Sequence, residues 1–152
     1  MIRLEIIEVA EPSAEALEDL KNYAAVICGG EQDSILQSAL ATAFDKVQRT
    51  ADVALLPGRW KVCAEDYPRV LNVYMGGTVV SVTDGKGNIV SFNQRGRRVY
   101  VGSDDYVEVE FTTEVIPAEY ARLLPVVCQY ATAIYDGQTD QRVLNQILAQ
   151  CL

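Results

Sequence analysis

Apolar residues recur at helical spacing near both ends of the chain, and a middle segment alternates apolar and polar residues. After position 33, apolar residues repeat at intervals of three and four for about six turns, which is typical of a buried helix stripe. Asp33 or Ser34 can cap the start, and Pro57 with Gly58 ends the pattern. The sequence therefore predicts a long helix near 33–56.

A shorter helical pattern precedes the long one. Ser13 is a favourable N-cap residue, and Glu15 and Glu18 suit the positive end of a helix dipole. Gly29 opens a Gly-Gly pair of the kind that ends helices. We expect a first helix near 13–28.

Between Trp60 and Thr113 the apolar period changes from 3.6 to 2. The stretches "RVLNVYM" and "TVVSVTD" alternate, "DGKGN" is typical of a tight turn, and "RRVYVGSDDYVEVEFTT" reads as two strands around a second turn. This pattern predicts a small antiparallel sheet from about 67 to 113 with one polar face.

Helical spacing returns near 117–136 and again near 139–150. Pro117 suits a first helical turn. Pro125 lies inside the pattern, where it removes a backbone donor, and it should kink the helix or split it in two.

Together these patterns predict one α+β domain over residues 1–152 that is mainly helical. Two N-terminal helices, one of them long, precede the small antiparallel sheet, and two C-terminal helices follow it. The predicted buried residues are Phe44, Val47, Leu124, Val127, Ala131 and Ile134.

Composition excludes several classes of protein. The hydrophobic fraction of 49% with 22% charged residues is that of a globular chain, and no apolar run approaches the length of a membrane span. Residues 1–10 alternate acidic and apolar types without a cleavage-site pattern, so we expect a cytoplasmic protein without a signal peptide. The net charge of −8 argues against broad binding to nucleic-acid phosphates. The basic run "QRGRR" at 94–98 suits a solvated loop better than a binding patch.

Candidate chemistry is sparse. The chain has four cysteines without a Cys-x-x-Cys pair and has no histidine, which excludes a Cys/His zinc site. Cys28 and Cys128 lie in apolar helical patterns and suit the core. The pairs Asp104-Asp105 and Glu65-Asp66 lie in turn-like stretches, where Asp is common for conformational reasons. We therefore expect no catalytic residue, no metal and no cofactor.

An interface between proteins is easier to support. Short strands leave sheet edges, and eight tyrosines are more than a small core needs. The predicted loops at 84–88 and 102–105 are free to reach a neighbouring protein. The candidate interface residues are Asp84, Lys86, Asp104, Asp105 and Tyr106.

The order of these stretches resembles the head–tail connector, or adaptor, proteins of long-tailed bacteriophages and prophages. The resemblance is carried over residues 8 to 140 by "EPSAEALEDLKNYAAVI", "DSILQSALATAFDKVQRTADVAL", "VVSVTDGKGN", "YVEVEFTT" and "VIPAEYARLLPVVCQYATAIYDG". The chain departs from the family pattern at "CGGEQ" after the first helix and at "DG" after Tyr135.

The resemblance implies a structural virion protein that forms a homo-oligomeric ring under the portal and joins the DNA-filled head to the tail. It implies the portal and a tail-completion or stopper protein as partners, with DNA passing through the channel without specific binding. The location would be the virion neck, after assembly in the host cytoplasm. Two alternatives stay open: another neck or tail-completion protein, and a small ligand-binding or enzymatic α+β domain.

Overall fold

A computed structural model describes residues 1–24, 33–65, 69–102, 105–137 and 141–151, with residue 151 described by its backbone alone. The chain divides into two compact units. We call Met1–Ala10 with Asp52–Val115 the strand unit, and Glu11–Ala51 with Ile116–Leu152 the helix unit. Each unit has its own buried core.

The helix unit contains four helices within the described ranges: α1 (Ala14–Ala24), α2 (Asp33–Ala51), α3 (Pro117–Tyr135) and α4 (Gln141–Cys151). α3 packs against each of the others and most extensively against α2. Ser13 caps α1 as predicted, because its hydroxyl accepts a hydrogen bond of 3.1 Å from the amide of Ala16.

The apolar stripes of α2 and α3 form the centre of the helix-unit core. Phe44 is fully buried, and its ring stacks on Tyr120 with centroids 6.0 Å apart. Four of the six predicted core residues are buried as expected: Phe44, Val47, Val127 and Ala131. The prediction is wrong for Leu124 and Ile134, which are only half-buried because they lie at the margin of the stripe.

Of the kink or split predicted at Pro125, the split does not occur, because α3 runs without interruption from Pro117 to Tyr135. The kink stays a prediction. Pro125 removes the hydrogen bond that its amide would donate to the carbonyl of Ala121. Both residues are on the exposed face of the helix, where water can bond to that carbonyl.

α2 is shorter than the predicted helix over 33–56, because Asp52 adopts a left-handed backbone conformation with φ of 55° directly after Ala51. The apolar residues that follow, Ala54 and Leu55, are buried outside any helix. Residues 25–28, at the end of the predicted first helix, and residues 139–140, at the start of the predicted last one, lie outside the described residues.

The strand unit contains two antiparallel sheets rather than one. The first has the order β1 (Ile2–Val9), β2 (Gly58–Ala64), β7 (Val107–Thr113) and β4 (Thr78–Asp84). The second has the order β3 (Val70–Asn72), β6 (Arg98–Val101) and β5 (Phe92–Arg95). A short 3-10 turn lies at Tyr74–Gly76.

The predicted range of 67–113 omits β1 and β2. The description "mainly helical" is not supported, since the described residues form seven strands as well as four helices. The α+β class itself is confirmed. That the chain forms a single domain stays a prediction.

The first sheet has an apolar face and a charged face. Trp60 and Val62 of β2 lie opposite Phe111 and Val109 of β7, and all four are buried in one cluster with residues of the second sheet. On the other face, the ammonium of Lys61 lies between Glu5 at 3.4 Å and Glu108 at 3.6 Å, and Arg59 pairs with Glu110. The alternation therefore fixes which side of the sheet faces the core.

The edge of the first sheet at β4 is covered by the chain itself. The side-chain amide of Gln94 accepts a hydrogen bond of 2.8 Å from the amide of Val79 and donates one of 2.8 Å to the carbonyl of Gly77. Further along the strand, the amide of Val90 donates to the carbonyl of Val82 at 2.9 Å. One glutamine side chain and one loop thus occupy hydrogen-bonding groups that an edge strand would leave open.

The first testable prediction concerns the helix-unit core. Replacing Phe44 with Ala should lower the free energy of unfolding by about 3–5 kcal/mol, because the variant loses a fully buried ring and leaves a cavity. Urea titration followed by circular dichroism measures the change. Ile35→Ala on the same helix removes a side chain that is 57% exposed and should cost less than about 0.5 kcal/mol. Equal losses in the two variants would contradict the core assignment.

The second prediction concerns the covered edge. Gln94→Ala should lower the free energy of unfolding by about 1–3 kcal/mol, because the part-buried amide of Val79 loses its acceptor. Asn93→Ala, at the exposed neighbouring position of the same strand, should change it by less than about 0.5 kcal/mol. If chemical denaturation gives the same midpoint for Gln94→Ala and the unsubstituted chain, the glutamine does not protect the edge.

Candidate functional site

Four of the five predicted interface residues line one open groove of the strand unit with a volume of about 610 Å³. The fifth, Asp104, lies outside the described residues. The groove lies between the β4–β5 loop and the turn that precedes β7. Its described lining consists of Asp84, Gly85, Lys86, Asn88, Ile89, Val90, Ser91, Gly102, Asp105 and Tyr106.

Asp84 holds the first loop in shape. One carboxylate oxygen accepts hydrogen bonds from the amides of Lys86 at 2.8 Å and Asn88 at 2.9 Å, and the other accepts one from the Asn88 side chain at 3.1 Å. These bonds to the charged form lower the pKa of the Asp84 carboxyl, with the Asn88 amide as the largest cause. Gly87 completes the turn at φ of 83°, where a glycine is favoured.

A close backbone approach joins the two loops. The amide of Gly102 donates a hydrogen bond of 2.8 Å to the carbonyl of Ser91. A Cβ atom on Gly102 would lie 2.3 Å from the Ser91 hydroxyl oxygen and 3.2 Å from the Ser91 carbonyl oxygen, so a larger residue there would force Ser91 to shift. This contact brings residues from two turns, which are distant in sequence, to one groove.

Tyr106 forms a wall of the groove, and its hydroxyl contacts residues on the charged face of the sheet. The hydroxyl lies against Cys63 and donates a hydrogen bond of 3.0 Å to Glu108. The contact with Cys63 and then that with Glu108 raise the pKa of the Tyr106 phenol well above its usual range. The phenol therefore stays protonated, and the ring packs beside Gly85.

Ile89 is a groove residue that the sequence reasoning missed. Its side chain is 90% exposed although it is large and apolar. The available signal was its position directly after the turn sequence "DGKGN", because a residue next to an exposed turn can itself be exposed. With Lys86 and Asp105, which are also exposed, it gives the groove rim a mixed apolar and charged character that suits contact with a protein.

The basic run at 94–98 has structural partners within the strand unit. Arg97 pairs with the carboxylate of Asp52, which also accepts a hydrogen bond of 2.5 Å from the amide of Met75. The guanidinium of Arg95 lies 5.9 Å from the ring centre of Tyr100. Arg97 therefore fixes the 3-10 turn, and Arg95 covers an aromatic ring.

Within the described ranges, no group of three or more His, Cys, Asp or Glu side chains is arranged to hold a metal ion. The helices in those ranges are all too short or too polar to cross a membrane.

A third prediction follows from the Asp84 turn. The pKa of the Asp84 carboxyl, measured by NMR titration, should lie below the ordinary value of 3.8, because the native turn stabilises the charged form. The stabilisation that the charged carboxylate gives to the turn is therefore fully present above the ordinary pKa and is lost as the pH falls through the lowered one. Protection of the Lys86 and Asn88 amides against hydrogen exchange should fall over the same range.

Asp84→Asn is the matched control, because its amide oxygen can still accept from both amides while it no longer titrates. Its loop protection should persist without this pH dependence, whereas Asp84→Ala should lose protection at every pH. An ordinary pKa for Asp84, or unchanged protection in Asp84→Ala, would contradict the role of this side chain.

Comparison with known proteins gives a fold likeness and no sequence match. No protein-family model matches the chain, and no curated protein matches it. The fold is similar to that of a chain in the solved neck of an empty gene transfer agent particle computed with C6 symmetry. That similarity has a TM-score of 0.61 at 18% identity and covers 87% of this chain and 85% of the other.

A chain in the solved virion of a native gene transfer agent particle is also similar, with a TM-score of 0.56 at 15% identity. The likeness covers 84% of each chain. At these identities the comparison establishes a shared fold over most of both chains.

Proposed function

We propose that this chain is a structural neck protein of a phage-like particle and acts as the head–tail connector, or adaptor. In this role it forms a ring beneath the portal and joins the DNA-filled head to the tail. It is not an enzyme, and its function is to make contacts with copies of itself and with other particle proteins.

The observation that carries the proposal is the fold likeness to a chain in a particle neck over 87% of this chain and 85% of the other. The connector assignment within the neck rests on the resemblance of the ordered sequence stretches to that family. The first line of support uses backbone geometry, and the second uses residue patterns.

The groove of the strand unit suits the proposed contacts. Lys86, Ile89 and Asp105 are exposed at its rim, while Asp84 and Gly102 hold the underlying loops in place. Residues that such hydrogen bonds already hold lose less conformational entropy on binding. We propose that this rim contacts the portal, a neighbouring subunit or the next tail component.

The ring requires head-to-tail contacts that close after a fixed number of copies. The particle neck with the similar chain was computed with C6 symmetry, so a ring of six subunits or a multiple of six is consistent with the proposal. The net charge of −8 suits a channel that lets DNA pass, because it offers few cations to hold phosphates. The protein would act in the virion neck after assembly in the host cytoplasm.

A second candidate function is another position in the same neck, such as tail completion. The same fold likeness favours it, since a likeness to a chain in a neck does not distinguish between neck positions. The two candidates differ in their direct partner, which is the portal for the connector and a tail component for a completion protein.

A fourth prediction tests this function. The purified chain mixed with its cognate portal should form rings on the portal, visible by electron microscopy, even if weak contacts leave it unassembled alone. Portals hold neighbours side by side and so raise their effective concentration. Particles made without this chain should be filled heads lacking tails, and normal virions from that deletion would overturn the assignment.

Ile89→Asp should weaken assembly on the portal, because it places a charge at the exposed apolar part of the rim. Val80→Asp is the matched control, since it makes the same kind of change at an exposed position of β4 outside the groove. Equal assembly by the Ile89→Asp variant and the unsubstituted chain would remove the groove from the proposed interface. Binding to a tail component but not to the portal would favour the second candidate.

A further inference from the structure

The edge of the first sheet at β1 differs from the covered edge at β4. The N-terminal ammonium of Met1 donates a hydrogen bond of 2.9 Å to the carbonyl of Glu65, and the amide of Glu65 donates one of 2.9 Å to the carbonyl of Met1. Met1 and Glu65 are therefore a hydrogen-bonded pair, which determines which positions of β1 bond to β2. In an antiparallel pair the bonded positions alternate, so Arg3 and Glu5 bond to β2 while their neighbours direct their backbone groups away from it. Those neighbours are Ile2, Leu4 and Ile6.

These outward backbone groups have no hydrogen-bond partner among the residues that the structure describes. The side chains beside them are apolar and accessible, since Ile2 is 51% and Ile6 is 47% exposed, with Leu4 half-buried between them. A sheet edge with free donors, free acceptors and exposed isoleucines is a surface for pairing with another strand.

The sequence of this edge is complementary to itself in one register. If two copies align antiparallel about Leu4, each Ile2 lies opposite Ile6 of the second copy and each Arg3 lies opposite Glu5 of the second copy. The same register makes every outward position a hydrogen-bonded pair. We propose that β1 pairs with β1 of a second copy of this chain and forms a two-fold symmetric dimer in solution.

Charge complementarity selects this occupant. The Arg3 guanidinium is 62% exposed and already lies 2.6 Å from Glu5 of its own strand, so in the dimer two arginines and two glutamates alternate in one cluster. Arginine has enough N–H donors to bond to both carboxylates.

A β-bulge in β1 limits the pairing between two copies to the self-complementary segment. The β1–β2 register shifts between Ile6 and Glu8, which leaves Ile7 as an extra residue. Such a bulge bends the strand and interrupts the edge. The straight part of the edge therefore runs from Ile2 to Ile6, which is the length of the self-complementary segment.

The dimer goes beyond the proposed neck function and does not depend on it. A two-fold contact joins identical ends, whereas a neck ring has one end toward the head and the other toward the tail. The β1 dimer is therefore the form of the free protein, and its pairing is released before a ring forms.

Analytical ultracentrifugation of the full chain over a concentration series tests the pairing. The unsubstituted chain should show a reversible monomer–dimer equilibrium. Arg3→Glu and Glu5→Arg should each raise the dimer dissociation constant about tenfold or more, because each places like charges opposite one another twice per dimer. The double variant Arg3→Glu/Glu5→Arg should recover most of the loss, since it restores opposite charges in both places.

Glu5→Arg also places a positive charge near Lys61, and it does so in both the single and the double variant. The difference between the dissociation constants of these two variants therefore reports the contact between position 3 of one copy and position 5 of the other. Thermal melting of each variant checks that the chain is folded. A chain that stays monomeric up to about 1 mM, or a double variant no better than the singles, would overturn the proposal.

Cross-linking tests the register independently. Leu4→Cys should form an interchain disulfide on mild oxidation, because the two Leu4 positions face each other at the about 5.5 Å spacing that a disulfide can span. Ile7→Cys is the control, since Ile7 is more exposed than Leu4, at 44%, but lies far from Ile7 of the second copy in this register. The unsubstituted chain serves as a blank for the native cysteines, and cross-linking of Ile7→Cys as efficient as that of Leu4→Cys would refute the register.

Discussion

The pairing of β2 with β7 is the contact on which the rest of the strand unit depends. It joins residues about fifty positions apart, from Gly58 opposite Thr113 to Ala64 opposite Val107, in an uninterrupted antiparallel register. Because side chains alternate across a strand, this register places Trp60 and Phe111 together in the core and Lys61 and Glu110 together outside. A slip of one residue would exchange the two faces of the sheet. Burial of the aromatic pair therefore fixes the register of β2 and β7, and with it the face on which each of their side chains lies.

That register also explains why the candidate groove exists. β7 continues directly from Asp105 and Tyr106, and β4 pairs with β7 so that Asp84 lies opposite Val107. The end of β4 and the start of β7 therefore meet at the same end of the sheet, and the two loops converge there. The groove is a consequence of strand order rather than of any local motif.

Local chemistry made much of the fold predictable from the sequence. The capping residue Ser13, the apolar stripe through Phe44 and Val47, and the turn at Asp84 each act within a few positions of the chain. The sequence also indicated the loops that line the groove.

The rest depends on pairing over long distances, which a short pattern cannot reveal. Alternation is present in β1 and from Trp60 in β2, but Ile7 interrupts it in β1 and three consecutive buried residues end it in β2, so the predicted sheet included neither strand. The convergence of the two loops, and the exposure of Ile89, follow from the register and not from the adjacent residues.

The order of charges on β1 has a further consequence for the protein's solubility. Cross-β fibrils commonly stack identical segments parallel and in register about 4.8 Å apart. In such a stack Arg3 would lie above Arg3 and Glu5 above Glu5 along the whole fibril, which repels each added strand. In an antiparallel pair, Arg3 lies opposite Glu5 of the second copy, and the free backbone groups of both β1 edges are hydrogen-bonded. At the other edge of the sheet, Gln94 and the adjoining loop cover β4. The segment therefore favours pairing with one partner strand and opposes indefinite growth.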